Sequence, residues 1–323
     1  MNFASLARVL TTLGCIAASA LVQAQPAPGL KILVGFPVGG APDAVARAYA
    51  EHLRAVAGIT VLIDNRTGAS GKIAIDALLA ASADGQTLAL IPASALHTVP
   101  MTSKAARYDS LRDFAAIGSV AEYGFGVSAG PASGAQDLNA FKAWAIRQPK
   151  PVGYATPGAG TPQHFIGAQM QALLGVNMIH VPYRGGAAAI GDVMSGEVPL
   201  LVTTEQLLVP HEGQGKLKLL FVTSAERNAR LPHVPTAREA GLPQLEQSDW
   251  FGIFAKSGTA AVKIEELQGQ LRRVLASQGY RDSMNALGYG IPNQQSANFS
   301  ERLQSERRIW AERVKIAGFD APE

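Results

Sequence analysis

Two stretches decide the reading of this chain. The first is Lys31-Ile32-Leu33-Val34-Gly35-Phe36-Pro37-Val38-Gly39-Gly40-Ala41-Pro42-Asp43. The second is Val152-Gly153-Tyr154-Ala155-Thr156-Pro157-Gly158-Ala159-Gly160-Thr161-Pro162-Gln163-His164. Each runs from an apolar strand through a glycine-rich turn into a helix. The N-terminus of a helix bares backbone N–H groups and carries the positive end of the helix dipole, so it holds an anion without any cationic side chain. Two such turns, far apart in the chain, predict two lobes facing one ligand, and a carboxylate suits them.

Around these turns the chain alternates strand and helix. An aliphatic strand ends at Gly35, and a helix over 43–56 places Val45, Tyr49, Leu53 and Val56 on one face, with Gly58 just past its end. Strands follow at 59–63 and 88–91, with a helix over 73–81 between them. The pattern restarts near Tyr123 after a polar stretch, with helices over 138–148, 163–174 and 187–195 among strands at 152–155, 178–181, 198–203 and 217–222. A strand-like run at 252–255 precedes two amphipathic helices, 262–278 and 299–317. Such alternation predicts an α/β fold in which each lobe is a mostly parallel sheet flanked by helices, with a cleft between the lobes.

The N-terminus reads as an export signal. Arg8 is the only charged residue before Lys31, Val9 to Val22 is uncharged and mostly apolar, and Val22-Gln23-Ala24 ends it with small residues. Residues 1–24 are therefore read as a signal peptide, which marks the mature chain for export. The single cysteine, Cys15, lies in that segment. A lipid anchor there is the rival reading, but Thr12 stands where a lipobox wants an aliphatic residue. The remaining chain has no thiol for a disulfide, a nucleophile or a zinc–thiolate site. With 28 Lys and Arg against 25 Asp and Glu, mixed along the chain, nothing forms a nucleic-acid patch.

Catalytic motifs are weak. Gly126-Val127-Ser128-Ala129-Gly130 matches the G-x-S-x-G pattern, but Pro131 and loop residues follow where a helix should begin. Asp192 and His233 lie downstream in no triad context, so an exported serine hydrolase using Ser128 is the alternative function. Gly158 and Gly160 are followed by Gln163, not glycine, so the dinucleotide fingerprint is absent. The six histidines show no metal-ligand spacing, and no cofactor or metal is expected.

Taken in order, further segments carry a resemblance. Phe36 to Asp43 with Arg47, Asp64 to Gly71, Asp84 to Thr87, Tyr154 to His164, His180 to Gly186, Gly215 to Lys218, Arg230 to Thr236, Glu239 to Pro243 and Trp250 to Gly252 together resemble the tripartite tricarboxylate transporter solute-binding proteins, the Bug or TctC family. The resemblance implies a two-lobe, type II-like periplasmic-binding-protein fold, with the periplasm as the destination of the mature chain. It implies lobe 1 at 25–126 plus 251–323 and lobe 2 at 127–250. It further implies a non-enzymatic monomer that delivers a small carboxylate to membrane permease subunits, with docking on a sensor kinase as another outlet. Carried over residue by residue, ligand contacts fall on Phe36, Val38, Gly39, Gly40 and Asp43, and on Thr156, Gly158, Gly160, Thr161 and His164. Gly68, Ala69, Ser70, Ser94, Gly186 and Thr204 are implied to face the cleft as well. Pro42 departs from the family, which commonly has a hydroxyl residue there. Proline offers neither side-chain oxygen nor N–H to the water around a ligand.

Overall fold

Strand β1 (Leu30–Val34) is buried apart from Lys31. The computed structural model describes residues 29–212, 214–292 and 299–318, so the signal peptide expected at 1–24 and Cys15 lie outside the described residues. Gly35 follows β1 directly, where a Cβ would stand 2.5 Å from the Gly71 Cα. Helix α1 (Ala41–Ala57) starts two residues earlier than expected, with Pro42 in its first turn. The fixed φ of proline suits that turn, where its missing N–H costs nothing. Val45, Tyr49 and Leu53 are buried on one face, and Gly58 closes the helix in the left-handed conformation, its N–H donating to the Arg54 carbonyl.

Strand β2 (Val61–Asn65), helix α2 (Lys72–Ala80) and strand β3 (Thr87–Pro92) complete the first crossover unit, with β1 parallel to both β2 and β3. Helix α3 (Ala93–Thr102) was not anticipated. Its Ser, Thr and His residues and an internal Pro100 are poor helix formers. Burial of every residue from Ala93 to Val99 stabilises it instead.

Strand β4 (Phe114–Ala129) is much longer than the expected run near Tyr123. From Phe114 to Gly124 it pairs antiparallel with strand β9 (Ser248–Lys256). From Phe125 to Ala129 it pairs with strand β7 (Leu200–Thr204), and nearby residues pair with strand β8 (Lys218–Val222). One strand thus serves two sheets. The first runs β2-β1-β3-β9-β4. The second takes its other members from β8 and from the mutually parallel set β5 (Val152–Thr156), β6 (Met178–Pro182) and β7. The expectation of mostly parallel sheets holds, with β4 and β9 the antiparallel exceptions.

Around the second sheet lie helices α4 (Leu138–Ile146), α5 (Pro162–Leu174), α6 (Gly186–Ser195) and the single turn α7 (Glu205–Leu208). Asp137 caps α4 by accepting the Ala140 N–H, and Gly175 and Gly196 close α5 and α6 in the left-handed conformation. In the tail, α8 (Ala261–Ala276) matches the helix expected over 262–278, and a further helix, α9 (Gln278–Leu287), follows it where none was expected. Ser277 divides them, its hydroxyl accepting the Tyr280 N–H. Both pack on α1, where His52 bonds the Ser283 hydroxyl and meets the Tyr280 ring edge-on. Helix α10 (Phe299–Ile316) lies on α3 and also reaches α5 through Trp310 and Phe165.

Candidate ligand-binding cleft

The C-terminal ends of β1, β3, β5 and β7 lead into a cavity between the two sheets. Its empty space is about 640 Å³ including the open mouth. Four helices of two turns or more begin on its wall: α1 at Gly40 to Pro42, α3 at Pro92 to Ala95, α5 at Thr161 to Gln163, and α6 at Gly185 to Ala187. The first two follow strands of one sheet and the other two follow strands of the second. Among the described residues, no Lys, Arg or His lines the cavity.

The glycine turns spend most of their own amides internally. Gly39 donates to the Asp43 carboxylate at 3.0 Å, and Gly40 to the Pro37 carbonyl at 3.1 Å. Gly158 donates to the Thr156 hydroxyl, and Gly160 to His164 Nδ1 at 3.2 Å. The donors left for a ligand are first-turn amides, which have no carbonyl four residues back to bond. On the cavity wall these belong to Ala41 on α1, Gln163 on α5, and Gly186 and Ala187 on α6. Pro42 and Pro162 contribute none.

Asp43 consequently holds the loop rather than lining the cavity. Its carboxylate accepts from Gly39, Arg47 and the Asn65 amide, and Asn65 also donates to the Phe36 carbonyl. Burial pushes its carboxyl up, but the bonds from Arg47, Gly39 and Asn65 outweigh burial and hold it below the usual carboxylate range. His164 has a matching role in the second loop. It stacks on His180 with ring centroids 3.5 Å apart, and burial, helped by that neighbour, depresses it to about 3. His180 in turn bonds the Thr156 hydroxyl at 2.6 Å, and burial lowers it to about 4. Both rings are neutral props of the turn.

Of the residues implied by the resemblance, Phe36, Gly40, Ser70, Ser94, Gly160, Thr161, Gly186 and Thr204 line the cavity. Val38, Gly39, Asp43, Gly68, Ala69, Thr156, Gly158 and His164 do not. Val38 is 67% exposed on the outer side of its turn. Gly68 has φ +128°, and Ala69 and Ser70 follow at φ +46° and +55°. That conformation is rare for non-glycine residues, and the turn brings Ser70 to the cavity mouth.

The turn glycines also let the two sides touch. A Cβ at Gly158 would lie 2.7 Å from the Ser70 hydroxyl, one at Gly160 2.4 Å from that of Thr102, and one at Gly185 3.0 Å from the Pro37 ring. Ser70 donates across the gap to the Ala159 carbonyl at 2.6 Å.

Sequence reasoning missed several wall residues. Thr98 and Thr203, like the expected Thr204, are buried with hydroxyls that have no hydrogen-bond partner among the described residues. Thr98 was hidden because α3 was not recognised. Asp249 and Tyr123 also line the cavity. Asp249 lies in β9 upstream of the expected strand, so a buried acid inside a strand gave no signal. Burial raises its carboxyl to about 6, with Glu306 adding to the rise and bonds from Ser94, Trp250 and Tyr123 opposing it.

Ser128 lies inside β4, fully buried and paired with Leu201 and Leu219. Asp192 bonds Tyr183 and His233 bonds Glu212, so no triad assembles around it. Among the described residues, no group of His, Cys, Asp or Glu could hold a metal ion.

Two sheets joined through β4, with helix N-termini from both meeting at one cavity, define a two-lobed periplasmic binding protein. The chain belongs to the tripartite tricarboxylate transporter family receptors (TctC), whose family model matches residues 45–316. It is similar to the periplasmic binding protein BugD, with 28% identity, a TM-score of 0.85, and coverage of 90% of this chain and 98% of that one. It is also similar to the R. palustris protein Rpa4515, solved with adipate, at 26% identity, TM-score 0.85, and 91% and 98% coverage. MatC from Rhodopseudomonas palustris, solved with bound malate, matches at 26% identity, TM-score 0.82, and 88% and 98% coverage.

Proposed function

We propose that this protein captures a small carboxylate between its lobes and delivers it to the permease of a tripartite tricarboxylate transporter. One observation carries the reading: helices α1, α5 and α6, drawn from two sheets, begin on one cavity that, among the described residues, has no cationic side chain. Their first-turn amides and the free hydroxyls of Thr98, Thr203 and Thr204 replace the water around a carboxylate. A hydrogen bond to a charged group contributes about 1.5–3 kcal/mol, and a few suffice for micromolar binding after the costs of immobilisation. The carboxylates in Rpa4515 and MatC, adipate and malate, support the ligand class.

Residues 1–24 act as the export signal, and the mature chain works as a monomer without catalysis. The lobes comprise 25–126 plus 251–323 and 127–250. Support for these bounds comes from β4, which changes sheets between Gly124 and Phe125, and from β9, which starts at Ser248. Rotation about these two strands opens and closes the cleft.

The test is a thermal-shift panel of mono- and dicarboxylates with their fully amidated counterparts as neutral controls. An acid at a hundredfold excess over its Kd stabilises by about 2.7 kcal/mol. A shift with an acid and none with its full amide is expected. Shifts only with the neutral amides would sink the carboxylate reading.

A further inference from the structure

We propose that Asp249 sets the specificity of this cleft by making part of the first-lobe wall an acceptor subsite. The ligand it selects carries a hydrogen-bond donor, an ammonium or an amide, in addition to its carboxylate. This rests on the solute-binding reading above and narrows its ligand class.

The hydrogen-bond inventory of the carboxylate carries the argument. Asp249 Oδ1 accepts from the Trp250 N–H at 2.8 Å and the Ser94 N–H at 3.3 Å. Its Oδ2 accepts from the Ser94 hydroxyl and from the Tyr123 hydroxyl at 3.0 Å. An ionised carboxylate offers about four acceptor sites, and four donors fill them. The single hydrogens of Ser94 and Tyr123 are thereby committed to Asp249. Both residues line the cavity, so only oxygen lone pairs remain for them to present to a ligand.

Charge points the same way. Among the described residues, Asp249 is the only Asp or Glu on the wall, and no cation lines the cavity beside it. Arg313 is close enough to feel the Asp249 charge, but its hydrogen bond goes to the Gln247 side chain, and Arg302 bonds Glu122 and Glu306. The helix N-termini supply donors, whereas the Asp249 system supplies acceptors and negative charge. A dicarboxylate brings a second anion into a cavity that already holds one. A zwitterion or a half-amide brings a donor in its place, and like-charge rejection of the dianion follows.

A role confined to the fold is the competing account. Ser94 is the second residue of α3, so Asp249 also satisfies the start of that helix. A cap alone would alter stability without altering which ligand is preferred.

Isothermal titration of the chain from residue 25 separates the two. The probes are matched trios: adipate, adipamate and 6-aminohexanoate, then succinate, succinamate and 4-aminobutanoate. In each trio that binds, the expected result is a donor-ended member at least about tenfold tighter than the dicarboxylate. Asp249→Asn should shrink that ratio. Tyr123→Phe, which keeps the charge but removes one acceptor oxygen from the wall, should also shrink the ratio. If Asp249→Asn does not fold, the wild-type ratio and Tyr123→Phe still decide. Dicarboxylates binding as tightly as the others would overturn the role of Asp249 and leave the carboxylate reading standing. Equal losses for all members in the variants would reduce Asp249 to a helix cap. No binding by any of the six, nor by the acids of the thermal-shift panel, would overturn the solute reading itself.

Discussion

At the scale of single residues, the two loops are held by side chains that never touch the cavity. Asp43 joins Gly39, Arg47 and Asn65 at the start of α1. Asp43→Ala leaves a backbone N–H and an amide without their acceptor, and a loss of about 2 kcal/mol in urea unfolding is expected. Thr203 and Thr204 are the opposite case, buried hydroxyls with nothing bonded to them. Replacing either with Val, close in shape, should leave the unfolding midpoint of the empty protein unchanged or higher. It should weaken ligand binding about tenfold by titration calorimetry, the value of one good hydrogen bond. The glycines were legible in the sequence, but their main task was not. Gly158, Gly160 and Gly185 make room for Ser70, Thr102 and Pro37 of the opposite side as much as for a ligand.

At the scale of elements, β4 and α10 decide how the two halves relate. The first half of β4 completes one sheet and its last residues enter the other. The residues around the change are heavily packed, with Tyr123 stacked on Phe251 at 4.3 Å and Phe125 against the Tyr123 edge. Helix α10 reaches across the same boundary. It bonds Glu122 through Arg302 and Asp109 through Arg307, while Trp310 packs on Phe165 of α5. Trp310 is only 4% exposed. Trp310→Ala should therefore cost about 3 kcal/mol or more in denaturant unfolding, as for other large core truncations. A destabilisation below about 1 kcal/mol would mean that α10 is not a brace between the halves.

For the whole molecule, closure and acidity give two expectations. Gly158 has no left-handed φ, so Gly158→Ala adds little backbone strain. The new methyl would crowd Ser70 only where the halves meet. Ligand affinity should fall about tenfold while the melting temperature of the empty protein holds; the reverse pattern would place the cost in the fold. Acid acts through buried histidines. His97 is lowered from 6.5 to about 4 by burial and by Arg307, and His164 and His180 to about 3 and about 4. A depressed histidine contributes stability above its unfolded value that is lost as pH falls toward the folded one. Asp249, raised to about 6, runs oppositely, since the cost of burying its charge disappears as pH drops through 6. Glu205, also raised by burial, runs with Asp249, and three histidines against these two carboxyls predict a falling melting temperature between about pH 6.5 and 4. His180→Gln should flatten that profile.

The sequence by itself determined the strand–helix order, the closing glycines at 58 and 175, and the two turns, because periodicity and left-handed glycine positions are local properties. It did not reveal α3, whose residues are helical only because they are buried, nor the full reach of β4, whose two halves are defined by different partners. The tertiary structure alone decided which amides remain for a ligand. Hydrogen bonds from Gly39 to Asp43 and from Gly160 to His164 turn apparent binding atoms into scaffold. It also brought Asp249 to Ser94 and Tyr123, residues far apart in the chain that acquire a shared role only when β4, β9 and α3 meet. Donor and acceptor inventories belong to neighbours in space, and a linear sequence does not record them.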